Sequence, residues 1–199
     1  MNPSIEIVSG QKVFFYDIVD STMDIAHNLA KAGERGIVVA ATQRAGRATG
    51  NKCWESPSGG LYLTWIFEYE PHEQRTEILY LGVALAIINA LEAFGLKKCK
   101  IKLPNDVFFG NQKIAGILEE IMPYGHLIGM GVNLNASSEK ITSQAITYQD
   151  ATGKPIDITD FLSTFIEKVE WLKVNYALDK KHLIAQWQRA LLKPTAYPL

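Results

Sequence analysis

Cysteine, histidine and net charge are all scarce in this chain, and each shortage removes a class of protein. The two cysteines, Cys53 and Cys99, are too few and too far apart for a disulfide framework or a zinc site. They read as reduced, small hydrophobic residues of a cytoplasmic protein. The four histidines are scattered and form no ligand cluster. Lys and Arg number 20 against 21 Asp and Glu, a formal charge of -1, so the broad positive field of a general nucleic-acid binder is missing. A local basic pocket is still compatible with that balance. The N-terminus has no basic segment followed by an apolar run and a cleavage site, so secretion is not indicated. The longest apolar helix candidate contains Asn89 and Glu92 and stops at Gly95, which suits a core helix and not a membrane span. Internal repeats, heptad runs and low-complexity linkers are absent as well.

What is present is a hydrophobic fraction of 47% in 199 residues, enough to bury the core of one domain covering residues 1–199. Val13 to Ile18 reads as a strand. Asp20-Ser21-Thr22 offers capping groups for a helix over Met23 to Ala32, ended by Gly33. Capping accounts for Ser21 and Thr22 taken alone, but a strand running into a helix N-terminus also brings hydroxyls and free amides to one place. Gly36 to Thr42 is a second strand and feeds a polar segment from Gln43 to Trp54. Three cations, Arg44, Arg47 and Lys52, fall within nine residues of it. They fit a solvated turn, or a phosphate clamp with Trp54 anchoring its far end.

Ser56 to Gly60 makes a tight connection into a strongly β-forming run, Leu61 to Glu68. Glu70 to Gln74, with Pro71, is another connection. Glu77 to Phe94 is the longest helix, with a stripe of Leu81, Ala84, Leu85, Ile88 and Leu91. Leu127 to Leu134 is a strand with Gly129 and Gly131 on one face, where a flat ligand or simply another backbone could approach closely. Asn133 could bond a ligand or its own turn. Ser137 to Lys154 reads as a polar excursion with little regular structure. Asp157 or Thr159 caps a helix carrying Ile158 to Leu172, and a last helix from about Lys181 to Leu192 carries Leu183, Ile184, Trp187 and Leu191. Pro194 and Pro198 discourage its continuation.

The centre of the sequence is Lys102-Leu103-Pro104-Asn105-Asp106, followed by a hairpin with Gly110-Asn111 at its turn and Lys113 to Leu118 in its return strand. Two lysines and a carboxylate sit on one sheet-anchored unit. A decorated hairpin explains them, and so does a site for an anionic, metal-bound ligand, because lysine acts as a mobile point charge toward phosphate. Asp106 suits either a local backbone bond or a hydrated cation.

Taken together, Asp20-Ser21-Thr22, Gln43-Arg44-Ala45-Gly46-Arg47, Trp54 to Tyr62, Lys102 to Asp106, Lys113 to Leu118 and Gly129 to Asn133 resemble, in order and spacing, the catalytic domain of biotin–protein ligases. The resemblance implies an α+β fold, with a biotinyl/lipoyl-ligase-like mixed, largely antiparallel sheet and helices mainly on one side. It implies a two-step reaction using ATP and Mg²⁺: biotin becomes biotinyl-adenylate, then passes to a lysine of a biotin carboxyl carrier protein or carrier domain. Ser21, Thr22, Gln43, Gly46, Arg47 and Gly116 match vitamin-binding positions. Lys113 and Arg47 match the reactive-end lysine and the start of the ligand-ordering loop. Lys52, Trp54, Lys102, Asn105 and Asn133 match the nucleotide side, and Asp106 the metal position.

Departures from the family pattern also carry expectations. Thr49 stands where the family usually has arginine and Leu103 where it has tryptophan, so weaker retention of the adenylate is expected. No helix-turn-helix precedes Val13, so repression of DNA is not expected. The small β-rich domain that commonly follows is also missing before Leu199, which fits a truncated chain, a natural short form or an incomplete enzyme. No nucleic-acid or membrane partner is implied, and a homodimer is compatible with the sequence. A lipoate or related acyl ligase, or a non-catalytic biotin- or carrier-binding module, are the alternative functions.

Overall fold

The computed structural model describes residues 2–50, 52–67 and 76–192. The expected connection at Glu70 to Gln74, the Glu68 end of its strand, the side chain of Leu81 and the two closing prolines lie outside the described residues. Eight strands form one sheet: β1 (Ser4–Val8), β2 (Gln11–Val19), β3 (Gly36–Gln43), β4 (Leu61–Phe67), β5 (Lys100–Lys102), β6 (Asp106–Phe109), β7 (Gln112–Met122) and β8 (Gly125–Val132). Their order across the sheet is β1-β2-β3-β4-β8-β7-β6-β5. Among the described strands only β2 and β3 run parallel, because a helix, α1 (Thr22–Lys31), carries the chain back between them, as a parallel pair requires. The expected α+β, largely antiparallel sheet is therefore what the chain forms.

Side-chain alternation on the central strands divides the core in two. Leu61, Leu63, Trp65 and Phe67 of β4 and Ile128, Met130 and Val132 of β8 pack with α2 (Thr76–Ala93) and α4 (Ile158–Leu178). The opposite face gives Val38, Ile66 and Leu127 to Met23, Ala26 and Ala30 of α1. With α5 (Lys180–Ala190) also joining the first layer through Leu183, most helices lie on one side and α1 alone on the other. Phe161 and Phe165 of α4 are wholly buried, and truncating either to alanine costs about 3–5 kcal/mol by loss of transfer energy plus a cavity.

Several local expectations change. β1 was not legible as a strand; it pairs with β2 through a Ser9-Gly10 turn in which both residues have positive φ, 44° and 80°. The stripe expected of α2 is too narrow, since Val83 to Ile88, Ala90 and Leu91 are all buried between the sheet and α4. The excursion from Ser137 to Lys154 contains a 3-10 turn at Ser138–Lys140 and α3 (Tyr148–Thr152), capped by Thr147 and closed by left-handed Gly153. Asp157, and not Thr159, caps α4, accepting from the backbone of Thr159 and Asp160. Ile184 points away from the core, 42% exposed. Cys53 is exposed and so is no core residue, whereas Cys99 is buried, its thiol pushed up to about 12 by burial and then by the nearby Glu92 charge.

Candidate active site

On the α1 face, the register of the sheet aligns Tyr62, Gly131, Gly116, Asp106 and Lys102 in one row across five strands. A neighbouring row aligns Thr64, Gly129 and Leu118. Consecutive glycines leave a floor without side chains, and the indole of Trp54 lies on it. A Cβ at Gly116 would fall 2.7 Å from Trp54 Cζ3, and one at Gly131 would fall 2.8 Å from Cζ2 and nearer still to Nε1. Over the same residues opens a cleft of about 470 Å³ including its open mouth. Ser21, Thr22, Gln43, Arg47, Trp54, Asn105, Lys113 and Gly116 all line it, although they come from α1, β3, two loops and β7.

The cleft has a neutral polar end and a charged end. At the first, Ser21 caps α1 by accepting from Met23 N, and Thr22 donates to Gln43 Oε1 from both its backbone N (2.8 Å) and its hydroxyl (3.1 Å). Thr64 Oγ1 donates to Thr22 Oγ1 at 2.9 Å, and Gln43 Nε2 donates to Ser56 Oγ at 2.8 Å. Gly46 backs this network because a Cβ there would meet Ser56 Oγ at 2.8 Å and Gln43 Nε2 at 3.0 Å. Burial raises the Tyr62 phenol above its ordinary range; its hydroxyl donates to Pro57 O at 2.7 Å, which pins the connection behind the site.

At the charged end Lys113 Nζ lies 2.5 Å from Asp106 Oδ1 and 4.9 Å from the Trp54 ring centroid. Asp106 Oδ1 is thus taken up by the ammonium, and among the described residues no hydrogen bond reaches Asp106 Oδ2. Arg47 sits at the mouth, donating to Asp24 Oδ1 at 3.1 Å and to Glu120 Oε1. The other oxygen of Glu120 contacts His27 Nε2 at 2.7 Å. The Asn105 carbonyl accepts from Ile117 N, and its Nδ2 donates to Ile117 O at 3.0 Å and to Thr49 Oγ1 at 2.8 Å, so the loop is tied to the Lys102–Asp106 segment by the residue that departs from the family pattern.

Five of the expected site residues lie off the cleft lining: Gly46 and Asp106, which touch it only through Gln43 and Lys113, and Lys52, Lys102 and Asn133. Lys52 is exposed on the loop. Lys102 is exposed, its Nζ 4.9 Å over the Phe108 ring, because its strand is the outermost of the row. Asn133 is buried beyond β8, its N–H donating to Ile114 O and its carbonyl accepting from Tyr148 N. Conversely Met23, Ser56, Thr64, Leu118 and Glu120 take part in or around the cleft without having been singled out. Period-two alternation through Tyr62, Thr64 and Ile66 was the available signal for Thr64; the partners of Ser56 and Glu120 are distant in sequence and had none.

Sheet order, the glycine floor and a cleft that is polar at one end and charged at the other define an α+β protein with a candidate small-molecule cleft on the α1 face of its sheet. The chain belongs to the biotin/lipoate A/B protein ligase family, whose model matches residues 15–135. Bifunctional ligase/repressor BirA of Bacillus spizizenii is 33% identical over 162 residues, covering 75% of this chain and 50% of that protein. Biotin–protein ligase 2 of Arabidopsis thaliana is 31% identical over 143 residues, covering 67% of this chain and 43% of that protein. The chain thus spans about half the length of the curated relatives it matches. The structure of biotin protein ligase from Aquifex aeolicus in complex with biotin and ATP superposes with a TM-score of 0.79 at 26% identity, covering 90% of this chain and 78% of that one. The Leishmania major enzyme, at 24% identity and a TM-score of 0.75, over 94% and 84% of the two chains, adds a likeness of fold. No helix among the described residues is long and apolar enough to cross a membrane.

Proposed function

We propose that this protein activates biotin with ATP and passes it, as an amide, to a lysine of a biotin carboxyl carrier protein or carrier domain in the cytoplasm. The observation that carries this reading is the single cleft joining a neutral hydrogen-bonding end to the Lys113–Asp106 end over a glycine floor. A ureido group needs paired donors and acceptors, which Ser21, Thr22, Gln43 and Thr64 supply. A lipoate dithiolane needs an apolar slot instead, so the same residues weigh against the lipoate alternative.

In the first step the biotin carboxylate attacks the α-phosphorus of ATP, forming a C–O–P mixed anhydride while pyrophosphate leaves with its electron pair. Two anions must meet, so the protein's task is charge compensation and orientation. Lys113 supplies a cation at the reacting end, and the Trp54 face beside it gives a low-dielectric wall that strengthens the cation's effect. Arg47, held by Asp24 and Glu120, closes the mouth and keeps water from the anhydride. In the second step the carrier amine attacks the acyl carbon and AMP leaves.

Among the described residues no three His, Cys, Asp or Glu side chains converge as a metal cage. The single carboxylate of Asp106, whose Oδ1 faces Lys113 and whose Oδ2 receives no hydrogen bond among the described residues, fits a Mg²⁺ ion that takes its other ligands from phosphates and water. Bound there, the metal would neutralise charge on the departing pyrophosphate. The deciding experiment incubates the protein with ATP, Mg²⁺ and either biotin or lipoate, and measures acid-labile acyl-adenylate and its transfer to a lysine-bearing carrier. Biotinyl-adenylate and carrier amide are expected. Binding without either product would favour a non-catalytic module, and product from lipoate alone would overturn the choice of vitamin.

A further inference from the structure

On the α1 face of β7, Glu120 follows Gly116 and Leu118 and stands opposite Leu127 of β8. Its two oxygens have different partners: Oε1 accepts from Arg47 Nη2, and Oε2 lies 2.7 Å from His27 Nε2. A carboxylate only accepts, so Nε2 is the donor in that contact. His27 Nδ1 is left to the Tyr124 hydroxyl at 2.9 Å. Four parts of the chain thus converge on one carboxylate: α1 through His27, β7 through Glu120, the loop after β3 through Arg47, and the β7–β8 turn through Tyr124. Of these four residues only Arg47 lines the cleft, so the other three act on the site through it.

Arg47 has a second anchor, because Nη1 donates to Asp24 Oδ1 at 3.1 Å. The two anchors differ in strength. The Asp24 side chain is 57% exposed and takes no other hydrogen bond among the described residues, and water screens such a pair. The Glu120 side chain is 16% exposed and the His27 side chain 14%, so the carboxylate that His27 braces is both drier and less free to turn. Distance separates this anchor from the chemistry. Lys113 Nζ lies 3.0 Å from where a Gly116 Cβ would stand, whereas Glu120 is four residues further along the strand, about 13 Å. We infer that Glu120 is a positioning residue, braced by His27, that holds the Arg47 guanidinium across the mouth and so sets how long the adenylate stays bound and not how fast it forms. This rests on the biotin reading, since the adenylate is what the mouth retains.

The adenylate is formed on the full chain from biotin, Mg²⁺ and ATP labelled at the α-phosphate, and two rates are read. One is single-turnover formation; the other is escape of the label after a chase with excess unlabelled ATP and biotin and no carrier. Glu120→Gln keeps the shape and removes the charge, so escape should rise on the order of tenfold, the worth of about one hydrogen bond, with formation altered less than about threefold. Asp24→Asn should raise escape less than about threefold, as an exposed pair does. His27→Leu should also speed escape, and His27→Gln, whose amide nitrogen donates where Nε2 stood, should restore most of the retention; this pair decides the matter if Glu120→Gln does not fold. Equal effects on formation and escape in Glu120→Gln, an Asp24→Asn variant as leaky as Glu120→Gln, or His27→Gln releasing as fast as His27→Leu each overturns the inference while leaving the biotin reading intact. Absence of biotinyl-adenylate from the unchanged protein overturns both.

Discussion

Gly131→Ala tests the glycine floor most directly. Its Cβ would lie 2.8 Å from Trp54 Cζ2, with Nε1 and Cε2 closer, whereas carbon atoms in ordinary contact stand about 3.5–4.0 Å apart. The indole must therefore rise by about 1 Å. Gly131 lies inside β8, paired with Tyr62 and Gly116, and has no positive φ, so the strand itself accepts alanine. The displacement falls on Trp54, whose backbone is held by Trp54 N donating to Gly46 O at 2.8 Å; the ring then leaves both the floor and Lys113. A misplacement of about 1 Å costs on the order of a hundredfold in rate, while overpacking costs about 1–3 kcal/mol of stability. Gly129→Ala is the control, because the one contact its Cβ would make too closely is with the flexible end of Met23, at 2.8 Å from Cε, while Thr64 Oγ1 and Leu118 O stand at an ordinary 3.5 and 3.6 Å, and less than a tenfold change is expected. The assay is the single-turnover rate of biotinyl-adenylate formation, with the thermal midpoint measured alongside. A Gly131→Ala protein as fast as the unchanged one, or two alanine variants equally impaired, would refute the argument.

Other outcomes follow from the same geometry. Lys113→Gln removes the cation beside Asp106 and should slow adenylate formation by about 10²–10³-fold, with biotin affinity much less affected; the ratio of the two effects, read by pre-steady-state kinetics and calorimetry, is the check. Thr49→Arg should slow release of the adenylate by adding charge at the loop, although it gives up the bond from Asn105 to Thr49; release that is unchanged or faster would count against the expectation. At high pH the folded chain holds protons that the unfolded chain releases: Cys99 titrates at about 12 against an ordinary 9.0, and Tyr62 is also raised from 10.0. The stability these groups contribute is complete below about pH 9 and is lost as pH rises toward and beyond 12. Thermal midpoints should fall over that interval, and the native protein at pH 8 should be labelled by thiol reagents at exposed Cys53 and not at buried Cys99; equal labelling would contradict the burial argument.

Local chemistry determined most elements from the sequence alone. Ser21 and Asp157 cap helices because their side chains satisfy free backbone amides one turn ahead, and Gly110 supplies the turn between β6 and β7 at φ 60°, so both signals reside within a few residues. The glycines at 129 and 131 announced a face open to close approach for the same reason. Tertiary structure alone decided what met on that face. Register across β4, β8, β7 and β6 set Gly131 beside Gly116 and Asp106, and only the folded loop laid Trp54 over them. Ser56 with Gln43, Arg47 with Glu120, and Asn105 with Thr49 are pairs separated by 13, 73 and 56 residues. Contacts over such distances exist only after chain closure has brought the strands into register, and no periodicity within one segment encodes them.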